Sequence, residues 1–213
     1  DESGGTPCRP NSILQSLEDV NPPEIERITL LNNRTIRVFF SEVILANIES
    51  DMSFEISPRL SISRITEVPP EYCALDVHLK DSVNPGVIYR LSVAGCITDY
   101  AENVCRIGEC ANFGLPSKPF LGSLILNEVL THPFSGTDAD FIEIFNKSPN
   151  IIDLKDVKIG SGGVELPLKS ITIGNGFQLM PGDYCAVCRN KRLTEEQYFC
   201  LNSKTLFQCD SDI

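Results

Sequence analysis

Strict two-residue alternation between apolar and polar side chains is the feature that most limits how this sequence can fold. It runs through residues 73–80 (CALDVHLK) and returns in residues 35–40 (TIRVFF) and 87–93 (VIYRLSV). Successive side chains of a β-strand point to opposite faces of its sheet, so this period predicts strands with one buried and one solvated face. A turn signal at residues 84–86 (NPG) separates two of these strands.

Short strands joined by turns predict an all-β fold built from β-sandwiches. In the second half of the chain we expect strands at residues 124–130, 141–146, 157–159, 164–166, 171–173 and 183–188. Helix is expected in two places only. One is residues 11–20, and the other is a single turn opened by Thr194, with Gln197 three residues later as in a capping box.

The chain of 213 residues has room for two domains of ordinary size. Residues 1–21 are interpreted as a leader with the short helix, which ends at a Pro-Pro pair that cannot donate backbone hydrogen bonds. We place a first domain at residues 22–115, a linker at residues 116–122 and a second domain at residues 123–213. No alternation follows Phe207, so we expect the second domain to be truncated before its last strands.

The charge balance excludes some classes of partner. The net charge is −11 and the isoelectric point about 4.6, whereas nucleic acids and anionic lipids require clustered Lys and Arg. No apolar run approaches the ~20 residues of a membrane span, so no membrane insertion of this chain is expected. Nine cysteines are unusual for a cytosolic protein of this length and favour an oxidising compartment.

Several ordered blocks in the second half carry a family resemblance. They are LNEV at 126–129, DFIEIFN at 140–146, IDL at 152–154, VKI at 157–159 and LMPGDY at 179–184, the last with one variable position. With these blocks, residues 120–213 resemble a lamin tail domain, which is an immunoglobulin-like sandwich. The resemblance implies a structural signature role for Asn127, Glu128, Glu143 and Asn146.

The first half carries a second resemblance. The blocks are the Pro-Pro pair at 22–23, IRVFFSE at 36–42, the spaced Gly, Tyr, Leu and Val of residues 86–93, and the spaced Ile, Asp, Ala and Asn of residues 97–103. Residues 22–115 resemble the bacterial Ig-like modules described from S-layer proteins. Glu102 stands where the closing turn of that module has Gly, which leaves the geometry of this turn open.

Together the resemblances imply two tandem immunoglobulin-like β-sandwich domains in a modular surface protein, and they supply no catalytic residues. The expected function is a non-catalytic, extracytoplasmic binding or scaffold pair in a bacterial adhesion or surface protein. It would present or anchor partner domains and bind a protein or surface polymer, without a cofactor. The alternative is a pair of accessory modules of a larger secreted hydrolase whose catalytic domain lies outside this chain. A carbohydrate-binding module is disfavoured because the chain has no Trp to stack on sugars.

The cysteines suggest a local disulfide. Cys96, Cys105 and Cys110 cluster around the turn that ends the first domain, where a bridge would constrain a loose segment. Cys185 and Cys188 have the spacing of a zinc half-site or a redox pair. Residues three apart on a strand face opposite sides, so disulfides or buried free thiols are favoured over zinc for these two.

The sequence signals for calcium binding and for catalysis are weaker. Asp138 and Asp140 in an acidic loop are candidate Ca²⁺ ligands, although the loop lacks the spacing of an EF-hand. Glu128 and Glu143 could pair for acid–base catalysis, but a structural hydrogen-bonding role is favoured. His78 lies on the polar face of a strand with no nucleophile motif beside it, so we expect no enzyme active site.

Overall fold

A computed structural model describes residues 19–46, 54–131, 139–159, 171–172, 176–198 and 203–209. The described residues are mostly β, with 47% of them in strands and a single α-helix. The all-β prediction is therefore confirmed. The leader at residues 1–21 lies mainly outside the described ranges. Residues 47–53, the predicted strand at residues 164–166 and Asp138 lie wholly outside them.

In the N-terminal half, the described residues 19–46 and 54–115 contain nine strands: β1 (Ile25–Asn32), β2 (Thr35–Phe40), β3 (Leu45–Ala46), β4 (Phe54–Ser57), β5 (Ile62–Glu67), β6 (Ala74–Leu79), β7 (Ile88–Val93), β8 (Ile97–Thr98) and β9 (Cys110–Gly114). The C-terminal half, residues 123–209, contains β10 (Leu124–Leu130), β11 (Phe141–Asn146), β12 (Ile152–Asp153), β13 (Lys158–Ile159), β14 (Ile171–Thr172), β15 (Gln178–Leu179), β16 (Tyr184–Cys188), helix α1 (Lys191–Gln197) and β17 (Leu206–Gln208), with short 3₁₀ turns at Leu154–Asp156 and Ser203–Thr205.

Two sheets enclose the core of the N-terminal half. One has the order β1-β2-β6-β5, the other β4-β7-β9, and β3 pairs with β8 beside them. The alternation predicted for β2 is observed: Ile36, Val38 and Phe40 are buried, while Arg37 on the other face binds Asp76 of β6 through two hydrogen bonds of 2.7 and 3.0 Å. Apolar side chains of both sheets form one buried cluster, with Tyr89 of β7 stacked on Phe113 of β9.

In the turn that closes the N-terminal half, Glu102 stands in place of glycine. Its φ is 67°, the left-handed conformation that glycine adopts most easily. The Asp99 carboxylate accepts hydrogen bonds from the backbone and side chain of Asn103, both at 2.8 Å. The turn therefore keeps a glycine-like backbone although a glutamate occupies the position.

The main sheet of the C-terminal half has the order β10-β11-β16-β17, and the short pairs β12-β15 and β13-β14 lie apart from it. Strand β17 runs parallel to β16, with Leu206 opposite Ala186, and was not predicted from the sequence. Ile142, Ile144 and Val187 belong to a second buried cluster, separate from that of the N-terminal half. Strand β10 lies at the free end of the sheet order.

Helix α1 begins three residues before the predicted capping box. Its N-cap is Asn190, whose side chain accepts a hydrogen bond from the Leu193 amide at 3.1 Å. Thr194 is a buried residue inside the helix, and its hydroxyl donates back to the Asn190 carbonyl at 2.8 Å. Asn is as good an N-cap as Ser or Thr, so the earlier Asn takes the position.

Candidate functional site

The two halves meet at a contact that we call the junction, and a glutamine lies at its centre. The Gln178 side-chain amide pairs with both backbone groups of Gly114: Oε1 accepts from the Gly114 amide and Nε2 donates to its carbonyl, each at 3.0 Å. Gln178 is 6% exposed. A Cβ on Gly114 would lie 2.5 Å from Ile151 Cδ1 in the C-terminal half and 2.6 Å from the Val87 carbonyl oxygen in its own half, so a larger residue here would clash with both halves.

Two further contacts extend the junction. The Thr29 hydroxyl donates to the Gly176 carbonyl at 2.7 Å, which links β1 to the segment before β15. The backbone amide of Ser117 donates to the Ile151 carbonyl at 2.9 Å, and Ser117 forms a parallel bridge with Ile152. Part of the predicted linker is thus held by backbone hydrogen bonds to the C-terminal half.

Lys204 provides the charged part of the junction. Its Nζ donates to the Ile25 carbonyl at 2.8 Å and lies 3.2 Å from carboxylate oxygens of both Glu24 and Glu109. Burial, the largest influence, lowers the pKa of the Lys204 ammonium, but the bonds to Glu109 and Glu24 outweigh it and raise this pKa above 10.5. One cation from the C-terminal half therefore joins two carboxylates of the N-terminal half.

Two clefts of about 180 and 340 Å³ flank Lys204, and both are also lined by Arg27 and Phe177. The Arg27 guanidinium lies 3.7 Å from the centre of the Phe39 ring, and burial lowers its pKa. The clefts therefore offer space for small polar molecules beside Lys204.

The predicted disulfide among Cys96, Cys105 and Cys110 is not formed; all three are free thiols, and none lies at disulfide distance. The reason is their divergent surroundings. Cys105 is 1% exposed within the N-terminal core, Cys96 is exposed, and Cys110 accepts a 2.8 Å contact from an Arg90 guanidinium nitrogen. Burial raises the pKa of the Cys105 thiol to about 11.

Cys185 and Cys188 are also buried free thiols. Cys185 belongs to the C-terminal core, and burial raises its pKa to about 12. The Cys188 thiol instead approaches the Phe207 carbonyl at 3.5 Å, on the neighbouring strand. Thiolate is both the metal ligand and the redox nucleophile, so burial of these groups opposes both uses.

Of the two Ca²⁺ candidates, Asp138 lies outside the described residues and Asp140 has another partner. Asp140 is 5% exposed, and its carboxylate lies 3.4 Å from the Arg189 guanidinium. The Arg189 amide also donates to the Asp140 carbonyl at 3.3 Å. Within the described part of the loop, Asp140 is thus bound to Arg189, the residue that follows β16.

The four signature residues occupy two different environments. Asn127, Glu128 and Glu143 are on neighbouring strands β10 and β11, where Glu128 lies opposite Glu143 and the Asn127 amide donates to a Glu143 oxygen at 2.6 Å. Asn146 is fully buried. Its amide nitrogen contacts three backbone carbonyl oxygens at 2.8–3.1 Å, and its oxygen accepts from the amide and hydroxyl of Ser148.

A carboxylate cluster that the sequence did not suggest lies beside β3 and β8. Asp19, Glu42 and Asp99 each place an oxygen within 4.8 Å of the others, which is a spacing that could hold a divalent cation. Burial first, and then repulsion from Asp19 and Asp99, raises the pKa of Glu42. Burial alone would raise the pKa of Asp99, but hydrogen bonds led by those from Asn103 outweigh it and lower this pKa.

His78 has two threonine neighbours instead of a catalytic partner. Its Nδ1 lies 3.4 Å from the Thr35 hydroxyl and its Nε2 3.3 Å from the Thr66 hydroxyl, across three adjacent strands. The ring therefore bridges the outer face of the sheet.

Within the described residues, no helix combines the length and apolarity needed to cross a bilayer.

Sequence reasoning missed the residues of the junction. The only local signal was Gln178, a polar residue inside the apolar run FQLM at 177–180. Lys204 had none, because its partners Glu24 and Glu109 are distant in sequence and become neighbours only when the two halves dock.

The sequence matches no protein-family model and no curated protein. Among solved structures, it is similar to the S-layer protein rSbsC(31-844), at 12% identity and a TM-score of 0.40 over 79% of this chain and 32% of that one. It is also similar to the N-terminal part of the bacterial S-layer protein SbsC, at 13% identity and a TM-score of 0.40 over 74% and 42%. The chain thus spans well under two thirds of these structures, and likeness at this level assigns neither family nor function.

Proposed function

We propose that the chain is a rigid pair of immunoglobulin-like β-sandwich modules, a bacterial Ig-like module followed by a lamin-tail-like domain, acting as a non-catalytic scaffold. The observation that carries the proposal is the buried pairing of Gln178 with Gly114. A buried amide that satisfies both backbone groups of a glycine has one acceptable geometry, because any rotation between the halves would leave polar groups unpaired. A scaffold needs such a fixed angle to hold partner domains apart.

The contacts of Lys204 also support a rigid scaffold. Its contacts with Glu24, Glu109 and the Ile25 carbonyl resist sliding of one half over the other. We place the protein outside the cytoplasm, on a bacterial surface or secreted, with a protein or surface polymer as its partner. This placement rests on the resemblance to surface modules, since the free thiols of Cys96, Cys105 and Cys110 add nothing to it.

Residual dipolar couplings of backbone amides test the rigid pair directly. In the unmodified chain, the two halves should give alignment tensors of equal magnitude and one relative orientation. In the double variant Gln178→Ala, Lys204→Met, the tensors should differ in magnitude because the halves reorient independently. A mismatch already present in the unmodified chain would refute a rigid scaffold.

Localisation and chemistry need a separate experiment. An antibody against the chain should detect it in the envelope or culture-medium fraction of source cells, and externally added protease should remove it. The purified full-length protein should hydrolyse none of a panel of esters, glycosides and peptides. A cytoplasmic location would contradict the surface role. Hydrolysis would favour the alternative of accessory modules within a larger hydrolase.

A further inference from the structure

Strand β10 is an apolar strand with one edge that no described strand pairs with. It pairs with β11 on one side only among the described residues, and it is seven residues long. Three of its apolar side chains are exposed: Ile125 by 37%, Leu126 by 61% and Val129 by 50%. The free edge of a strand presents unpaired backbone N–H and C=O groups, which can receive another strand.

The exposure of Leu126 and Val129 is unusual because they lie on the core side of the sheet. Leu126 is opposite Ile144 and Val129 is opposite Ile142, and these two partners on β11 are only 3% and 9% exposed. The core layer thus covers β11 and stops short of β10. An added strand would extend the sheet where apolar surface is already available to be covered.

Another edge of the molecule is protected in the ordinary way. Strand β5 ends the sheet β1-β2-β6-β5, and it presents exposed Arg64 and Glu67 while Ile62 and Ile65 stay buried. Charged side chains on an edge strand discourage pairing with other chains. Strand β10 has a single charged residue, Glu128, so its edge is open in a way that the edge at β5 is not.

Glu128 indicates what the added strand should contain. It lies directly opposite Glu143, and like charges in this position repel each other. Neither carboxylate forms an ion pair with a described residue, and the partner of Glu143 is the neutral Asn127 amide. A cation on the open side of β10 would relieve this repulsion.

We propose that β10 binds an extended segment of another protein as an additional strand. The segment carries apolar side chains beside Leu126 and Val129 and a Lys or Arg beside Glu128. A second copy of this chain is a poorer occupant, because pairing β10 with itself would bring two Glu128 carboxylates to the new strand pair, and each already lies opposite a Glu143 on its own β11. The surface lies apart from the contacts of the junction, so the rigid pair and this site can fail independently.

Two synthetic peptides test the site on the full-length protein. One is acetyl-Val-Thr-Val-Lys-Val-Thr-Ile-amide, and the other has Glu in place of Lys. The Lys peptide should bind with NMR shift changes centred on β10, and amides at its free edge should become protected from hydrogen exchange. The variant Glu128→Lys should weaken the Lys peptide roughly three- to tenfold and bind the Glu peptide better than the Lys peptide, since one cross-strand charge pair is exchanged for its opposite.

Controls separate a specific site from attraction to an acidic protein. Glu71→Lys makes the same charge change in an exposed turn of the N-terminal half and should leave both affinities unchanged. Val129→Thr keeps the side-chain shape, removes apolar character, and should weaken both peptides. Absence of saturable binding, equal effects of Glu128→Lys and Glu71→Lys, or shifts centred away from β10 would each overturn the proposal. Concentration-dependent dimers of the unmodified chain, with β10 protected, would show that a second copy is the occupant instead.

Discussion

The Gln178 side chain binds Gly114 as a neighbouring strand would. Gln178 Oε1 accepts a hydrogen bond from the Gly114 amide, and Gln178 Nε2 donates one to the Gly114 carbonyl, both of 3.0 Å. Gly114 is the last residue of β9 and Gln178 the first of β15, so the contact joins the ends of two strands from different halves. The side-chain amide thereby forms the two hydrogen bonds that a backbone partner would form, at a position where β9 and β15 belong to different sheets.

Gln178→Ala should destabilise the protein by about 2–4 kcal/mol, because it leaves two buried backbone groups of Gly114 without partners. Urea denaturation measures the change in the free energy of unfolding. Thr29→Val is the matched comparison: it removes one partly buried hydrogen bond of the same junction and should cost about 1 kcal/mol. Equal effects of the two substitutions would show that the glutamine pairing is not the stronger contact.

Asn146→Ala should cost about 2–4 kcal/mol, since the buried amide contacts three carbonyl oxygens and accepts from Ser148. Asn127→Ala, at the other signature asparagine, removes an exposed contact and should change stability by less than about 0.5 kcal/mol. Thermal unfolding of the two variants gives the comparison. A large loss in Asn127→Ala would mean that the exposed contact to Glu143 matters to the fold.

Glu102→Gly should stabilise the protein by about 0.5–1 kcal/mol, because glycine adopts a φ of 67° without the steric cost that a Cβ brings. Chemical denaturation detects a change of this size. Glu71→Gly is the control, at an exposed turn position whose own φ is not positive, and there the added backbone freedom should lower stability. Destabilisation by Glu102→Gly would show that the glutamate side chain holds the turn.

Glu42→Gln should raise the melting temperature at pH 7. Burial and repulsion from Asp19 and Asp99 raise the folded-state pKa of Glu42 above 4.5, so its ionised form favours the unfolded chain. This penalty is absent below the unfolded pKa and grows as pH rises through the folded pKa, so the gain should shrink at about pH 4. Glu71→Gln, outside the cluster, should leave the melting temperature unchanged. A lower melting temperature for Glu42→Gln would indicate a bound cation.

Thiol reactivity should follow burial. At pH 8, iodoacetamide should modify the exposed Cys96 in the native protein, while Cys105 and Cys185, with pKa values raised to about 11 and about 12, should react only after unfolding. Peptide mass spectrometry identifies the labelled sites. Both folded pKa values exceed the ordinary value of 9.0, so stability should fall as pH rises above 9. Labelling of Cys185 before Cys96 would contradict the burial.

Patterns confined to a few neighbouring residues were enough to predict much of the fold. The alternation in β2, β6 and β7 predicted the buried faces of these strands, since a side chain's face depends only on its position along the strand. The same local logic failed at α1: the capping-box pattern predicts a helical turn opened by Thr194, but Asn190, an equally good cap four residues earlier, takes the position.

The remainder depended on contacts between residues that are distant in the chain. Strand β17 has three residues, too few to show a period, and it forms because β16 offers a free edge beside it. Clustered cysteines predicted a bridge, but the packing that buries Cys105 and leaves Cys96 exposed directs them apart. Gln178 and Lys204 found their partners only when the two halves docked, because the desolvation that makes such pairing necessary arises from the docking itself.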